Sequence, residues 1–221
     1  MVTIILTTMN EVDGLKWLWP RLNVDLVRKI LIVDNHSNDG TLEFLSDKPC
    51  MVITQSVPGR GNGIREAMNY VEDDVVILMS SDGNDDPVYL FPLIKKLGEE
   101  HDIVCGTRFA QGGSSDDSDD PLHIRRFGNK LFTNLVNLLF AANYTDTTYG
   151  FRGFKKQAWD AMKINSKKNE TEYMMSIRAA KLKMKTAEIP MTEGRRLGGK
   201  VKAKTFPTGL SFLRLIFSEL T

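Results

Sequence analysis

Residues 75–87, VVILMSSDGNDDP, constrain the fold of this chain most strongly. The five apolar residues at 75–79 are typical of a strand that is buried on both faces, as in a parallel sheet between two layers of helices. The polar residues that follow then lie at the carboxyl end of the strand, where open α/β sheets bind their ligands. Asp, Gly, Asn and Pro also form ordinary turns, so a plain turn is the alternative for this loop.

Similar apolar runs alternate with helical patterns through the first half of the chain. The predicted strands are 2–6, 30–33, 51–54, 75–79 and 103–106. The helices between them include 15–22, a helix that follows the segment 58–63 and runs through Tyr70, and 88–97. This alternation predicts crossover connections around a parallel sheet. We therefore predict an α/β, Rossmann-like fold in which a mostly parallel central sheet has helices on both faces.

The second half has a different pattern. Residues 111–120 are acidic and too polar to pack, which predicts a mobile loop. Residues 122–142 have a helical repeat, and its apolar stripe is expected to face the core. The remaining predicted elements are a short strand at 149–154, a helix at 171–182, an edge strand at 185–189 and an apolar helix at 206–220.

Length and composition exclude several classes of protein. The 221 residues suffice for one domain with a substantial core, and a net charge of +1 gives no basic field of the kind that binds nucleic acids. The two cysteines have neither metal-ligand spacing nor a disulfide pattern, which favours a reducing cytoplasm. No apolar stretch approaches the roughly 20 residues that a membrane-spanning helix needs, so no transmembrane segment is predicted.

Groups that suit phosphates or nucleotides follow three of the predicted strands. Asp34 follows one, the Arg60–Gly63 segment follows another, and Asp82 follows the third. Glycines allow backbone N–H groups to approach a diphosphate, and Arg60 and Arg65 can neutralise its charge. An isolated RGNG segment is more often a turn, but its position between the other two loops favours a binding role.

The order of these motifs resembles the nucleotide-sugar half of family 2 glycosyltransferases with the GT-A fold. The motifs are TTMNE at 7–11, IVDNHSNDGT at 32–41, GRGNGIREAM at 59–68 and SSDGNDDP at 80–87. The later segments GTRF at 106–109, RRFGNKLFTNLVNLLF at 125–140 and TDTTYGFRGF at 145–154 resemble dolichol-phosphate mannose synthases and related polyprenyl-phosphate glycosyltransferases. The resemblance extends from residue 2 to about residue 205.

On the donor side, the resemblance implies a UDP- or GDP-sugar bound with a divalent metal, Mg²⁺ or Mn²⁺. Asp82 and Asn84 match the metal loop, whereas Ser80 stands where the family has another acid. One or two carboxylates can hold Mg²⁺ together with substrate phosphates and water. The implied nucleotide-sugar residues are Thr7, Asn10, Glu11, Asp34, Asn35, Arg60, Gly61, Gly63, Arg65, Ser81 and Glu172.

On the acceptor side, the resemblance implies an inverting transfer to a polyprenyl phosphate. A phosphate monoester has a second pKa of about 6, so it is a competent nucleophile at neutral pH without a general base. Arginines suit the cationic cradle that such an acceptor needs. Arg108, Arg125 and Arg126 match or flank the acceptor-phosphate arginines of the family. Asp146 and Arg152 match its Asp…GFR element, which is expected to order the wall of the site, and a purely structural ion pair between them is the alternative.

The end of the chain is basic and then amphipathic. The basic residues are Arg195, Arg196, Lys200, Lys202 and Lys204, and the apolar segment follows at 206–221. This pattern suits a peripheral helix on the cytoplasmic face of an anionic membrane, next to a catalytic domain at 1–205. The alternative is that the helix packs on the core while the basic stretch binds nucleotide phosphates.

Two other functions remain open at this point. The first is a glycosyltransferase whose acceptor is a soluble saccharide. The acceptor hydroxyl group then requires a carboxylate base, for which Asp85, Asp86 and Asp146 are the candidates. In the second, the protein is a nucleotide-binding regulator in which Ser80 marks the loss of turnover.

Overall fold

The computed structural model describes residues 1–116, 120, 123–199 and 205–220. Its strands are β1 (Val2–Thr8), β2 (Lys29–Asp34), β3 (Met51–Thr54), β4 (Val75–Ser80), β5 (Ile103–Thr107), β6 (Ser114–Ser115), β7 (Arg152–Lys155), β8 (Thr186–Pro190) and β9 (Thr192–Glu193). Its α-helices are α1 (Val12–Leu18), α2 (Thr41–Leu45), α3 (Arg60–Met68), α4 (Leu90–Gly98), α5 (Ile124–Phe140), α6 (Lys156–Met162), α7 (Thr171–Lys181) and α8 (Thr205–Leu220).

A central sheet of seven strands has the order β3-β2-β1-β4-β7-β5-β8. The neighbouring pairs are parallel, except that β7 runs antiparallel between β4 and β5. The four central residues of β4, like most of β1, are buried because helices cover both faces of the sheet. The predicted α/β fold with a mostly parallel sheet is therefore confirmed, and β8 is the predicted edge strand.

The buried face of α5 differs from the predicted one. The predicted core stripe consists of Phe127, Leu131, Leu135 and Leu139. Leu135 packs against the core, but the other three are exposed, whereas Thr133 and Val136 are buried. This difference arises because α5 packs against α7 and α8, which leaves the opposite side of the helix uncovered. The predicted start of this helix at Leu122 lies outside the described residues.

Two further elements were not predicted from the sequence. Ser114–Ser115 lie inside the segment assigned to a loop, yet they pair in parallel with Thr192–Glu193. This small sheet joins the polar segment after β5 to the chain that follows β8. Helix α6 (Lys156–Met162) also follows β7 directly.

The predicted apolar helix at the end of the chain is present as α8, and one of its faces belongs to the core. Phe212 stacks on Tyr173 at a ring-centroid distance of 4.4 Å and meets Phe132 edge-on at 5.2 Å. Near the end of the helix, Glu219 forms ion pairs with Arg178 at 2.7 Å and with Lys181 at 3.0 Å. Among the described residues, no helix is long and apolar enough to span a membrane.

Candidate active site

A cavity of about 1040 Å³ opens at the carboxyl ends of the central strands. Thr7 and Thr8 at the end of β1, Asn35 after β2 and Ser81 after β4 form its floor, because parallel strands that point the same way end at one edge of the sheet. Helices α5, α7 and α8 supply the walls. The cavity therefore lies where the strand order and the polar strand ends predict a binding site.

The cavity brings together most of the residues predicted for the site. Those that line it are Thr7, Glu11, Asn35, Arg60, Ser81, Asp82, Asn84, Arg108, Arg125, Arg126 and Glu172. The other predicted residues lie behind this lining, and they are Asn10, Asp34, Gly61, Gly63, Arg65, Asp146 and Arg152.

The loop after β4 places oxygen atoms at one end of the cavity. An Asp82 carboxylate oxygen accepts the Asn84 backbone N–H at 3.2 Å. The Asn84 side-chain amide donates to Glu193 at 3.1 Å, and its Oδ1 atom is buried without a hydrogen-bond partner among the described residues. Carboxylate and amide oxygens are the ligands that hard divalent cations prefer. Asp82 and Asn84 therefore fit such a cation, although the described residues contain no cluster of three or more His, Cys, Asp or Glu side chains with metal-site geometry.

The loop after β9 covers this acidic end of the cavity. Arg196 forms ion pairs with Asp82 at 2.6 Å and with Glu11 at 3.3 Å. The backbone N–H groups of Leu197 and Gly198 donate to the carbonyl oxygen of Asp82 at 2.8 and 3.0 Å. An arginine side chain thus supplies the positive charge next to the carboxylate that was predicted to bind metal. Lys200, Lys202 and Lys204 of the predicted basic stretch lie outside the described residues.

Arg60 lies at the start of α3 and reaches across the cavity floor. Its guanidinium group donates to Glu172 at 2.6 and 2.9 Å and also contacts the hydroxyl group of Thr7. Burial lowers the pKa of this guanidinium, but the nearby carboxylates, Glu172 foremost, together outweigh burial and raise it. Arg60 and Glu172 therefore form one charged pair in the cavity wall.

The glycines of the same segment have a packing role in this structure. A Cβ atom on Gly61 would lie 2.6 Å from the backbone oxygen of Ser166, and one on Gly63 would lie 2.9 Å from the side chain of Val33. Both glycines therefore allow α3 to approach its neighbours closely. Their predicted contact with a diphosphate stays a prediction.

Arg108 lies after β5 in a network of acceptors. It donates to Asp146 at 2.7 and 3.1 Å, to Thr148 at 3.0 Å and to Glu193 at 3.1 Å, and its guanidinium carbon lies 4.8 Å from the centroid of the Tyr149 ring. Burial raises the pKa of Asp146, but the charge and hydrogen bonds of Arg108 and the hydrogen bonds from Thr148 together outweigh burial and lower it. Arg108 thus reaches the cavity with its orientation fixed by two carboxylates.

The helix α5 brings Arg125 and Arg126 to the opposite wall. Asp120 accepts the backbone N–H groups of these two residues at 2.9 and 3.1 Å. A carboxylate at this position satisfies N–H groups that have no partner within the helix. The first turn of α5 therefore already binds an anion, and this anion belongs to the chain itself.

Three of the predicted residues that do not line the cavity form hydrogen bonds in the loops and the helix next to it. Asp34 accepts the Ser37 N–H at 3.0 Å, and Asn10 accepts the Asn38 N–H at 2.8 Å, so both residues shape the loops at the ends of β1 and β2. Arg65 donates to Asn62 at 2.6 Å.

Arg152 is fully buried. Its guanidinium group donates to the carbonyl oxygens of Tyr149 and Glu172 at 2.6 and 2.8 Å and to that of Thr147 at 3.3 Å. Asp146 pairs with Arg108, so Asp146 and Arg152 do not form the ion pair that the sequence left open.

Several residues in and beside the site were not assigned a role from the sequence. Glu193 connects Asn84 with Arg108, and burial raises its pKa while Arg108 opposes that rise. Tyr149 donates its hydroxyl group to Asp85 at 2.7 Å. Burial and then the charge of Asp82 raise the pKa of Asp85 to about 7. The acid in MTEGRR, just before two predicted binding arginines, was the available signal for Glu193.

Comparison with known proteins gives concordant matches. The model of the family "Glycosyl transferase family 2" matches residues 3–162. The glycosyltransferase AglJ of Haloferax volcanii is 26% identical over 195 residues, which cover 86% of this chain and 62% of that protein. The dolichol-phosphate mannosyltransferase of Pyrococcus furiosus is 27% identical over 228 residues, which cover 98% of this chain and 62% of that protein.

These relatives are longer than the chain, which spans 52% to 62% of the length of the first three curated ones. Among solved structures, glucosyl-3-phosphoglycerate synthase from Mycobacterium tuberculosis, in complex with Mn²⁺, UDP and phosphoglyceric acid, has a TM-score of 0.76 at 14% identity. That match covers 100% of this chain and 78% of the other, and it shows a shared GT-A fold. The family model covers well over half of the chain, and the chain belongs to glycosyl transferase family 2.

Proposed function

We propose that this protein transfers a sugar from a UDP- or GDP-sugar to a polyprenyl phosphate, with inversion at the anomeric carbon and with the help of a divalent cation. Two relatives support this acceptor class by name, the dolichol-phosphate mannosyltransferase of Pyrococcus furiosus and an undecaprenyl-phosphate mannosyltransferase of Micrococcus luteus. Both are below 30% identity, so the donor, the metal and the acceptor are proposals for this chain.

The observation that carries the proposal is the distribution of charge in the cavity. The proposed cation ligands Asp82 and Asn84 lie at one end, and six arginines line the cavity, namely Arg60, Arg108, Arg125, Arg126, Arg195 and Arg196. Carboxylates line the cavity as well and pair with several of these arginines, which holds the guanidinium groups in place. A site that must bring two phosphate groups together needs such cationic donors.

The soluble-saccharide alternative requires a carboxylate base that reaches the acceptor hydroxyl. The three candidates Asp85, Asp86 and Asp146 do not line the cavity. Asp85 is buried and already accepts the Tyr149 hydroxyl, and Asp146 is bound to Arg108. None of these three carboxylates is therefore placed to act as the base, whereas an acceptor phosphate ionises without a protein base.

A divalent cation at Asp82 and Asn84 would neutralise the diphosphate leaving group, where negative charge develops in the transition state. The likeness to a glycosyltransferase crystallised with Mn²⁺ and UDP supports this role. The chain's own contribution is to aim the two oxygen ligands, to hold the nucleotide between the strand ends and α7, and to orient the acceptor phosphate with Arg125 and Arg126.

We also propose that the acceptor reaches the cavity from a lipid surface. Phe132 of α5 and Phe212 of α8 line the cavity, so these two helices give it an apolar side. The outer side of α5 exposes Phe127 and Leu138, and the outer side of α8 exposes Phe206, Leu210, Leu213, Phe217 and Leu220. Large exposed apolar patches mark interaction sites, and basic residues beside them favour anionic lipids.

This lipid contact is testable by co-sedimentation with vesicles of phosphatidylcholine and phosphatidylglycerol. Phe127→Glu and Phe217→Glu should each weaken binding, because they place a charge in the apolar face without touching the core. Phe91→Glu is the matched control, since Phe91 is similarly exposed but lies on α4 and not on the apolar faces of α5 and α8. Equal binding of all three variants and the wild type would refute the proposal. Deletion of α8 is less informative because Phe212 is buried in the core.

The transfer itself is testable by release of nucleoside diphosphate from a panel of UDP- and GDP-sugars with Mn²⁺ or Mg²⁺, with and without a short-chain polyprenyl phosphate. We expect turnover with one donor that depends on the lipid phosphate and is abolished by Asp82→Asn. Turnover that is indifferent to the lipid phosphate would favour a soluble acceptor. Nucleotide binding without turnover would favour the regulator alternative.

A further inference from the structure

Glu193 bridges the two functional halves of the cavity. One of its carboxylate oxygens accepts the side-chain amide of Asn84 at 3.1 Å, and the other accepts the guanidinium of Arg108 at 3.1 Å. The side chain is only 19% exposed, and β9 fixes its backbone by pairing with β6. The contact to Asn84 joins residues 109 positions apart, so the bridge exists only in the folded chain.

This bridge decides which end of the Asn84 amide faces the cation-binding position. The NH₂ group of an amide donates and its oxygen accepts, so a carboxylate beside Asn84 selects the NH₂ group. The remaining atom, Oδ1, is buried and has no hydrogen-bond partner among the described residues. An amide oxygen in this state is suited to a hard cation, whereas a reversed amide would present hydrogen atoms to it.

We propose that Glu193 is a positioning residue that holds the Asn84 oxygen toward the divalent cation and couples this ligand to Arg108. The inference rests on the proposed metal-dependent transfer. It adds a residue that no motif of the sequence assigned, and it gives a reason for an acid two positions before Arg195.

The substitution Glu193→Gln distinguishes this role from a general effect of charge. A glutamate offers one acceptor oxygen to each of the two donors, but a glutamine offers only one oxygen. The charged Arg108 should take that oxygen, and the new NH₂ group would then face Asn84 and turn the Asn84 oxygen away from the cation. Loss of an outer-shell partner of a metal ligand typically weakens metal binding about 10- to 100-fold.

The experiment is a double-mutant cycle with Mn²⁺ as the probe, followed by electron paramagnetic resonance of free Mn²⁺ up to millimolar concentrations. We expect Glu193→Gln to weaken Mn²⁺ binding by about tenfold or more in the wild-type background. In the Asn84→Ala background, the same substitution should cause only the smaller effect of the lost charge. Glu219→Gln is the control for stability, because Glu219 is a buried, paired carboxylate of α8 that does not line the cavity.

An equal loss of Mn²⁺ affinity from Glu193→Gln in the wild-type and Asn84→Ala backgrounds would overturn the positioning role. Unchanged Mn²⁺ affinity in Glu193→Gln would overturn it as well, and either result would leave the proposed metal site itself in place. A wild-type protein that binds no Mn²⁺ would instead contradict the proposed metal dependence, and the inference with it. Loss of Mn²⁺ binding in Glu219→Gln would identify the effect as one of folding and would also overturn the proposal.

Discussion

Replacing Arg196 by glutamine should strengthen the binding of Mn²⁺ to the free protein. In the structure the Arg196 guanidinium lies 2.6 Å from Asp82 and 3.3 Å from Glu11, so it neutralises the carboxylate that is proposed to bind the cation. A divalent cation must displace this guanidinium from Asp82 before it can bind. The substitution removes the competitor and leaves the carboxylate in place.

The size of the effect follows from the geometry of the ion pair. A hydrogen bond between charged groups contributes about 1.5 to 3 kcal/mol. The Arg196 side chain is 30% exposed, and solvent screening places the value at the lower end of that range. A competing interaction of about 1.4 kcal/mol corresponds to a tenfold change in an equilibrium constant. We therefore expect the Kd for Mn²⁺ to fall about tenfold.

The assay is a Mn²⁺ titration without nucleotide, followed by electron paramagnetic resonance. Arg195→Gln is the matched control, because it removes the same charge from the same loop and Arg195 also lines the cavity, but no ion pair joins it to Asp82 among the described residues. Unchanged or weaker Mn²⁺ binding in Arg196→Gln, or an equal gain in Arg195→Gln, would refute the competition.

Two further predictions concern the stability of the fold. Burial raises the pKa of Glu219, but the hydrogen bonds from Arg178 and Lys181 outweigh it and lower the pKa from 4.5. Its ion pairs therefore stabilise the protein fully above about pH 4.5, and this contribution disappears as the pH falls through the lowered pKa of the folded state. Urea unfolding should show Glu219→Gln less stable than the wild type at pH 7, with the difference shrinking below pH 4, and a difference independent of pH would contradict the assignment. Arg152→Met should lower the free energy of unfolding by about 3 kcal/mol, because buried carbonyl oxygens lose their donor; unchanged stability would show that these oxygens find other partners.

The central sheet could be predicted from the sequence because its strands are continuous apolar runs. Residues 75–79 could be assigned without knowledge of their neighbours, because five consecutive apolar residues are typical of a strand buried on both faces. Residues 51–54 were assigned from the same kind of apolar run, but they form an edge strand in which only Ile53 is buried. The polar residues at the strand ends could be placed for the same reason, because parallel strands bring them to one edge of the sheet. This logic placed Asn35, Ser81 and Asp82 in the cavity.

The face of a helix that is buried could not be predicted in the same way. Periodicity finds an apolar stripe on α5, but the position of α7 and α8 decides which side is covered. Phe127 is consequently 71% exposed although it belongs to the most regular stripe of the helix. The two contact partners lie far along the chain, and no local pattern encodes their arrangement.

Long-range polar contacts could not be predicted from the sequence either. Arg196 and Glu11 are 185 positions apart, and Glu193 and Asn84 are 109 positions apart. Spacing along the chain identified Gly61 and Gly63 as a possible phosphate loop, yet the structure shows that Ser166 and Val33 leave no room for side chains there. A glycine required for packing and a glycine required for a ligand have the same signature in a sequence.

The identity of the reaction product tests the central claim most directly. The purified protein would be incubated with its nucleotide-sugar, Mn²⁺ and a short-chain polyprenyl phosphate, and the product analysed by mass spectrometry and ³¹P nuclear magnetic resonance. We predict a phosphodiester that joins the anomeric carbon of the sugar to the lipid phosphate, and no such product with Asp82→Asn. A sugar attached to a hydroxyl group, or free sugar formed at the same rate without the lipid phosphate, would contradict transfer to a phosphate acceptor.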